Sequence, residues 1–319
     1  MESIKQCEGL EFLNKVDNDS VDLILTDPPY IISKDTGFNK HYDDVKHNEE
    51  NNIEFVKTEA EWLEFKKTLK KPKKELDKNE GKGWSKSNYL KYGTILGKKY
   101  CNKTQYGKWD EEFSMDDLDS FIGEYYKKLK KGGTMIMWFD VWKISDLKKL
   151  MEKNKFSKIR LIIWDKTNPQ PINQRTSYLS NCREIALLGV KGSKPTFNSS
   201  YDFGRYEYPM AAGKYKFHPT AKNLDLFIDI IKKHSNEGDI VMDTFLGGGT
   251  TAIASKITNR QFIGCEVNEE YYNKMIENFD NIVDEYNKTR KTKLVNKKDK
   301  LKEQYEKKLL ELNTELDKL

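Results

Sequence analysis

From Met115 to Lys288 the chain alternates short apolar runs with helical patterns, and this alternation limits its fold more than any other feature. "MDDLDSFIGEYYKKLKKGG" (115–133) has helical spacing, an acidic first turn and a glycine stop. "TMIMWF" (134–139) is a strand, "ISDLKKLMEKNKF" (144–156) a helix, and "IRLIIWD" (159–165) and "REIALLGV" (183–190) are strands. After an irregular segment at 191–217 come helix 223–235, strand 239–245, helix 249–258, strand 260–267 and helix 269–288. Such a pattern predicts an α/β fold, a doubly wound parallel sheet with helices on both faces. "GLEFLNKV" (9–16) and "VDLILT" (21–26) add a helix and a short buried strand.

Two regions stand outside this pattern. Residues 33–110 are polar and rich in Lys and Asn, with one short helix expected before Pro72 and Gly81. Residues 285–319 are charged and helical, with no partner strand. The expected organisation is one α/β domain from 1–32 and 111–284, a basic insertion at 33–110, a loop region at 167–217 inside the domain, and a helical tail at 285–319. The composition agrees with solvated parts outside a core: 37% of the 319 residues are hydrophobic and 34% charged. No apolar run is long enough to span a membrane, and the start lacks a signal-peptide core. A cytoplasmic protein with reduced thiols is expected. Four Cys and four His lack ligand spacing, so no metal site is expected.

Two strand ends carry chemistry. "VDLILTDPPY" runs a buried strand into Asp27, and prolines cannot continue a paired strand, so the chain turns there. "DIVMDTFLGGGTTAIAS" ends a strand at Asp243 and starts a helix near Thr250 across a glycine turn. The turn is not a P-loop, because no Gly-Lys-Ser/Thr follows. Its glycines let backbone approach a ligand. One strand later "FIGCEV" reaches Glu266, an acid placed to bond ribose hydroxyls. Taken singly, these features read equally well as a tight turn and a surface charge.

Taken together, the two motifs resemble the amino-group DNA methyltransferases that use S-adenosylmethionine. These carry an Asp-Pro-Pro-Tyr tetrapeptide and a Phe-x-Gly-x-Gly loop. The resemblance extends over most of the chain. "YGKWDEEF" and "KKLKKGGTMIMW" look like the segments that follow the catalytic strand, and "IIWDKTNPQP" with Arg175 and Glu184 looks like the base-binding side. "HPTAKNL" and "RQFIGCEVNEEYY" look like the motifs flanking the cofactor strand. The catalytic motif precedes the cofactor motif, the permuted order of the beta class, which is rich in adenine-N6 enzymes. Gln6 stands where the family often has Asp, Gly248 where Ser is common, and Asn223 where Pro is common.

The resemblance implies catalytic Asp27, Pro28, Pro29 and Tyr30. It implies a cofactor site from Gln6, Asp27, Thr220, Lys222, Asp243, Phe245, Gly247, Gly249, Thr250 and Glu266. The adenine amine is a poor nucleophile because its lone pair is delocalised into the ring. The Asp27 carboxylate and the Pro28 carbonyl can accept its two protons and turn that lone pair toward the methyl group. The base must leave the duplex first, and Tyr30 is placed to stack on it, with Trp164 a second candidate. DNA contact is expected from Trp164, Lys166 and Arg175, and from Lys98, Lys99, Lys103 and Lys108 in a stretch that alternates rings and cations. The run from Lys66 to Lys74 reads either as a solvated face or as a phosphate contact.

Cytosine-N4 methylation uses the same geometry, but the family more often has Ser at the position of Asp27 for cytosine, so adenine is expected. A non-catalytic nucleic-acid-binding subunit of the same fold is the alternative from another class. Double-stranded DNA is the expected partner, and an associated restriction endonuclease stays open. Leu301, Tyr305, Leu309, Leu312, Leu316 and Leu319 give the tail an apolar stripe. It suits either a homodimer or packing on its own domain.

Overall fold

A computed structural model describes residues 3–31, 55–68, 86–93, 95, 113–169, 182–211 and 221–316. The chain divides into two compact units, Met1–Tyr30 with Phe113–Leu319, and Ile31–Glu112. In the smaller unit α2 (Glu59–Thr68) and α3 (Lys86–Tyr92) bury Trp62 and Tyr89, with Ile95 beside them. The Phe65 and Tyr89 rings stack at 4.4 Å. This region therefore has an apolar centre of its own, which its polar composition did not suggest. Lys98, Lys99, Lys103 and Lys108 lie outside the described residues.

Among the described residues the larger unit has eight strands: β1 (Ile4–Gln6), β2 (Val21–Thr26), β3 (Leu129–Phe139), β4 (Ser157–Lys166), β5 (Arg183–Val190), β6 (Arg205–Tyr208), β7 (Ile240–Asp243) and β8 (Gln261–Glu266). Its helices are α1 (Gly9–Leu13), α4 (Met115–Lys128), α5 (Ile144–Lys153), α6 (Leu224–His234), α7 (Thr250–Ile257) and α8 (Glu269–Leu316). The sheet order is β1-β8-β7-β2-β3-β5-β4-β6. β5 is antiparallel to β3 and to β4, and every other pairing is parallel. Seven strands thus point one way and β5 points back, which corrects the fully parallel expectation. A parallel return needs a crossover of a dozen or more residues, usually a helix, and 167–182 has no helical pattern.

Both faces of the centre are covered. Val21, Leu23, Ile24 and Leu25 of β2 are fully buried. Leu23 and Leu25 join Ile136, Trp138 and Ile162 against Leu226, Phe227, Ile230 and Ile231 of α6. Ile24 alternates to the opposite face. α4 earns its place with a full capping box at Ser114 and Asp117 and a buried stripe of Leu118, Phe121, Ile122 and Tyr125.

Three boundaries differ from the sequence reading. α4 stops at Lys128, and 129–133, expected as its last turn, open β3, because Leu129 is extended and fully buried. β1 and β6 were not anticipated. Three and four residues long, they are short edge strands of the kind that limit unwanted pairing. The tail is not a separate helix but the continuation of α8, a single run of 48 residues. Among its described residues the buried ones end at Val283, while Leu294, Leu301, Tyr305, Leu309 and Leu312 are exposed.

Candidate active site

The strand directions decide which side chains meet. β1, β8, β7 and β2 end on one edge of the sheet, bringing Gln6, Glu266, Asp243 and the residue after Thr26 to that edge. The connections after β2 and β7 lead away in opposite directions, so Asp27 and Asp243 flank a topological switch point, where open α/β sheets bind ligands. The reversed β5 begins on this edge and delivers Glu184, which pairs with Trp164 across β4.

Asp27 lies in a chain of four charges. Lys222 Nζ is 2.6 Å from Asp27 Oδ2 and 2.8 Å from Glu184 Oε2, and Lys166 Nζ is 2.6 Å from Glu184 Oε1. Glu184 Oε2 meets Lys222 as an ion pair by distance, without the direction of a hydrogen bond. Lys222 also donates to the Tyr30 hydroxyl at 3.3 Å and lies 5.4 Å from that ring's centre. Asp27 Oδ1 is buried and has no hydrogen-bond partner among the described residues. Burial pushes the Asp27 carboxyl up, against the pull of Lys222. Burial would also raise Glu184, but the Lys222 and Lys166 ammonium groups hold it at about 2. Burial works against the Lys222 cation too, yet Asp27 and Glu184 keep its pKa well above the ordinary value.

One strand over, Asp243 is fully engaged. Thr26 Oγ1 donates to Oδ1 at 2.7 Å, Thr251 Oγ1 to Oδ2 at 2.6 Å, and the Phe245 N–H to Oδ1 at 3.0 Å. Burial still raises its carboxyl to about 6. The turn beyond needs its glycines: Gly247 and Gly249 have φ of 51° and 80°, a region that side chains disfavour. A Cβ on Gly249 would lie 2.4 Å from Met275 Cγ. The Glu266 carboxylate accepts from the Gly247 N–H at 2.6 Å and the Asn268 N–H at 2.9 Å, which ties the turn to the end of β8. Gln6 Nε2 donates to the Val267 carbonyl at 3.0 Å. A cavity of about 550 Å³ reaches this edge at Lys222, Gly248 and Thr250, but most of its lining comes from 208–211, α6 and α8, and Asp27, Asp243 and Glu266 do not line it.

Several expected positions fall elsewhere. Lys222, expected at the cofactor, contacts the Asp27 carboxylate. Phe245 packs its ring on Phe121 at 4.7 Å and Phe113 at 5.6 Å. Trp164 cannot stack on a base: it is 1% exposed, bonds the Tyr208 carbonyl through Nε1 and meets Trp138 edge to face. It belongs to the core because it lies on the face of β4 that packs with Trp138 and α6. Lys166 is committed to Glu184 rather than open to phosphate. Thr220 and Arg175 lie outside the described residues. The Glu184 bridge was missed, although an acid opening the otherwise apolar "REIALLGV" was a signal for it.

This sheet order, with a glycine turn after one central strand and an Asp-Pro-Pro-Tyr turn after its neighbour, defines a Rossmann-like methyltransferase. The comparisons with known proteins agree. A family profile described as DNA methylase, covering N6 and N4 enzymes, matches residues 21–278, so the chain belongs to this family and is an S-adenosylmethionine-dependent DNA methyltransferase. It is 24% identical over 284 residues to the type II methyltransferase M2.MboI of Moraxella bovis, covering 84% of each chain. It is 28% identical over 197 residues to the DNA adenine methyltransferase YhdJ of Escherichia coli K12, covering 51% of this chain and 66% of that one. The fold is also similar to the crystal structure of the M1.HpyAVI–SAM complex, with a TM-score of 0.54, 23% identity and coverage of 86% and 97%.

Proposed function

We propose that the chain methylates adenine N6 in a base flipped out of duplex DNA, with Asp27 Oδ1 accepting one amine proton. The observation that carries this reading is that oxygen itself. A buried acceptor without a partner is rare in native structures and calls for a donor that arrives later. An exocyclic amine supplies one. In this reading the Pro28 carbonyl takes the second proton, Pro29 stiffens the turn, and Tyr30 stacks on the base. The Tyr30 ring already leans edge-on against Phe139 at 6.0 Å, which limits its freedom.

The residues on the edge suit the cofactor. The positive-φ glycine turn brings bare backbone to the surface, and each Glu266 oxygen keeps a lone pair for a hydroxyl beyond its backbone bonds. Gly247, Gly249, Thr250, Glu266 and Gln6 would hold it, with Asp243 and Phe245 setting the turn from behind. When bound, it supplies a methyl group activated by a sulfonium. Aspartate rather than serine at position 27, and the adenine in the name of YhdJ, favour adenine over cytosine-N4. Single-molecule sequencing of DNA from cells expressing the protein tests this. N6-methyladenine in one sequence context is expected, and N4-methylcytosine instead would overturn it.

The lysines at 98, 99, 103 and 108 are proposed phosphate contacts, and 167–217 the sequence-reading region. Neutralising those lysines together should flatten the salt dependence of DNA binding. The type II designation of M2.MboI supports a companion endonuclease, to be sought as a DNA-cleaving activity of matching specificity. A DNA substrate fits the cytoplasm, and among the described residues no helix is long and apolar enough to cross a membrane. The exposed stripe of α8 supports a homodimer.

A further inference from the structure

We propose that Lys222, set by Glu184 and Lys166, is a positioning cation for methyl transfer: it keeps the Asp27 carboxylate ionised and occupies Oδ2, so that Oδ1 alone is offered to the amine. This inference rests on Asp27 as the amine acceptor. The geometry divides the carboxylate cleanly. Oδ2 takes Lys222 Nζ at 2.6 Å, while Oδ1 is buried and has no hydrogen-bond partner among the described residues.

A carboxylate in that setting must be kept charged. Its neighbours are Tyr30 in its own turn, Lys222 ahead of α6, Glu184 of β5 and Asp243 of β7. Burial and Glu184 favour the protonated acid, and Lys222, helped by a hydrogen bond from Tyr30, opposes them. A neutral Asp27 would bind an amine proton less strongly, because bonds to a charged acceptor are about twice as strong. The longer chain of charges explains how Lys222 stays put. A lysine is flexible, but Glu184 grips the same Nζ at 2.8 Å, and Lys166 anchors Glu184 on its other oxygen at 2.6 Å. Only 6% of the Lys222 side chain is exposed, so water does little to loosen it. Within this chain of four groups two cations balance two anions. Buried ion pairs are a poor source of stability, which argues that the chain serves the reaction.

The test is the pH dependence of single-turnover methyl transfer by the full chain, with labelled S-adenosylmethionine and unmethylated genomic DNA. Lys222→Met should shift the acid limb upward by about 1–3 pH units, the usual effect of one adjacent opposite charge. On the acid limb it should be roughly 10- to 1000-fold slower than the parent at the same pH, and it should recover as the pH rises. Lys222→Arg should keep the limb near that of the parent. Glu184→Gln removes a charge that works against Asp27 ionisation, so its limb should move the other way, to lower pH. A purely structural role would slow the reaction equally at every pH, and that result for Lys222→Met overturns the proposal. Should Lys222→Met fail to fold, Glu184→Gln decides, and an unmoved limb overturns it. Asp27→Ala separates the two layers. If it stays active, the acceptor reading is wrong; if it is dead while the limbs do not move, only the role of Lys222 is wrong.

Discussion

Asp27 and Asp243 end neighbouring strands on the same edge, and burial raises both carboxyls, although the Asp27 side chain is 23% exposed and Asp243 only 3%. They differ in what fills their oxygens. Asp243 takes two threonine hydroxyls and a backbone N–H from its own chain. Asp27 takes a lysine on one oxygen, and its other oxygen is buried with no hydrogen-bond partner among the described residues. An acid whose acceptors are satisfied internally fixes a turn. An acid with a buried, unpartnered oxygen is set for a donor from outside. Position in the sheet does not separate the two, and hydrogen-bond accounting does.

The sharpest way to break this contrast is to remove each carboxylate in turn. Asp27→Ala should lower turnover by about a thousandfold or more. It should cost little stability, because the lost contact to Lys222 is offset by relief of a buried charge, and Lys222 keeps Glu184. Turnover assays with thermal melts check both halves. Near-normal turnover would undo the distinction.

Asp243→Ala should reverse the pattern. It strands Thr26 Oγ1 and the Phe245 N–H and leaves Thr251 Oγ1 only the Leu25 carbonyl at 3.4 Å, at roughly 3 kcal/mol in total, which in a unit of this size is about 6–12 °C of melting temperature. The pH dependence carries a sign. The folded carboxyl is raised to about 6, above the unfolded value of about 3.9. The folded state therefore holds the proton more tightly between those values. This group's contribution to stability is fully present below about pH 4 and is lost as pH rises through about 6. Asp243→Asn should remove that dependence, seen as a melting difference from the parent that changes over this window and is flat above it.

A smaller effect is expected between the two sites. Gly249→Ala places a side chain at φ 80° and against Met275. It should cost about 1–2 kcal/mol and weaken S-adenosylmethionine binding, measured by calorimetry, without touching either carboxylate. Smallest of all should be truncation after Asn287. Among the described residues of α8 the buried ones end at Val283, and Tyr286, which bonds Asp225, is retained. Turnover should change by less than about threefold, since neither acid is disturbed. Sedimentation should show a dimer becoming a monomer, and an unchanged mass would refute the tail as its interface.

The sequence by itself determined the local pieces. Apolar runs with period 2 and 3.6 marked most central strands and helices, and "DPPY" and "FLGGGT" marked the two strand ends. These are near-neighbour properties, set by backbone sterics and side-chain spacing. It did not determine the partners of the charges. Lys166, Glu184, Lys222 and Asp27 lie far apart in the chain, and only the reversal of β5 brings Glu184 to the edge where Asp27 ends. Trp164 shows the same limit from the other side, since its ring reads as a stacking candidate until its face of β4 is seen to pack with Trp138 and α6. Burial and pairing across such separations depend on strand order and direction, which spacing along the chain does not encode.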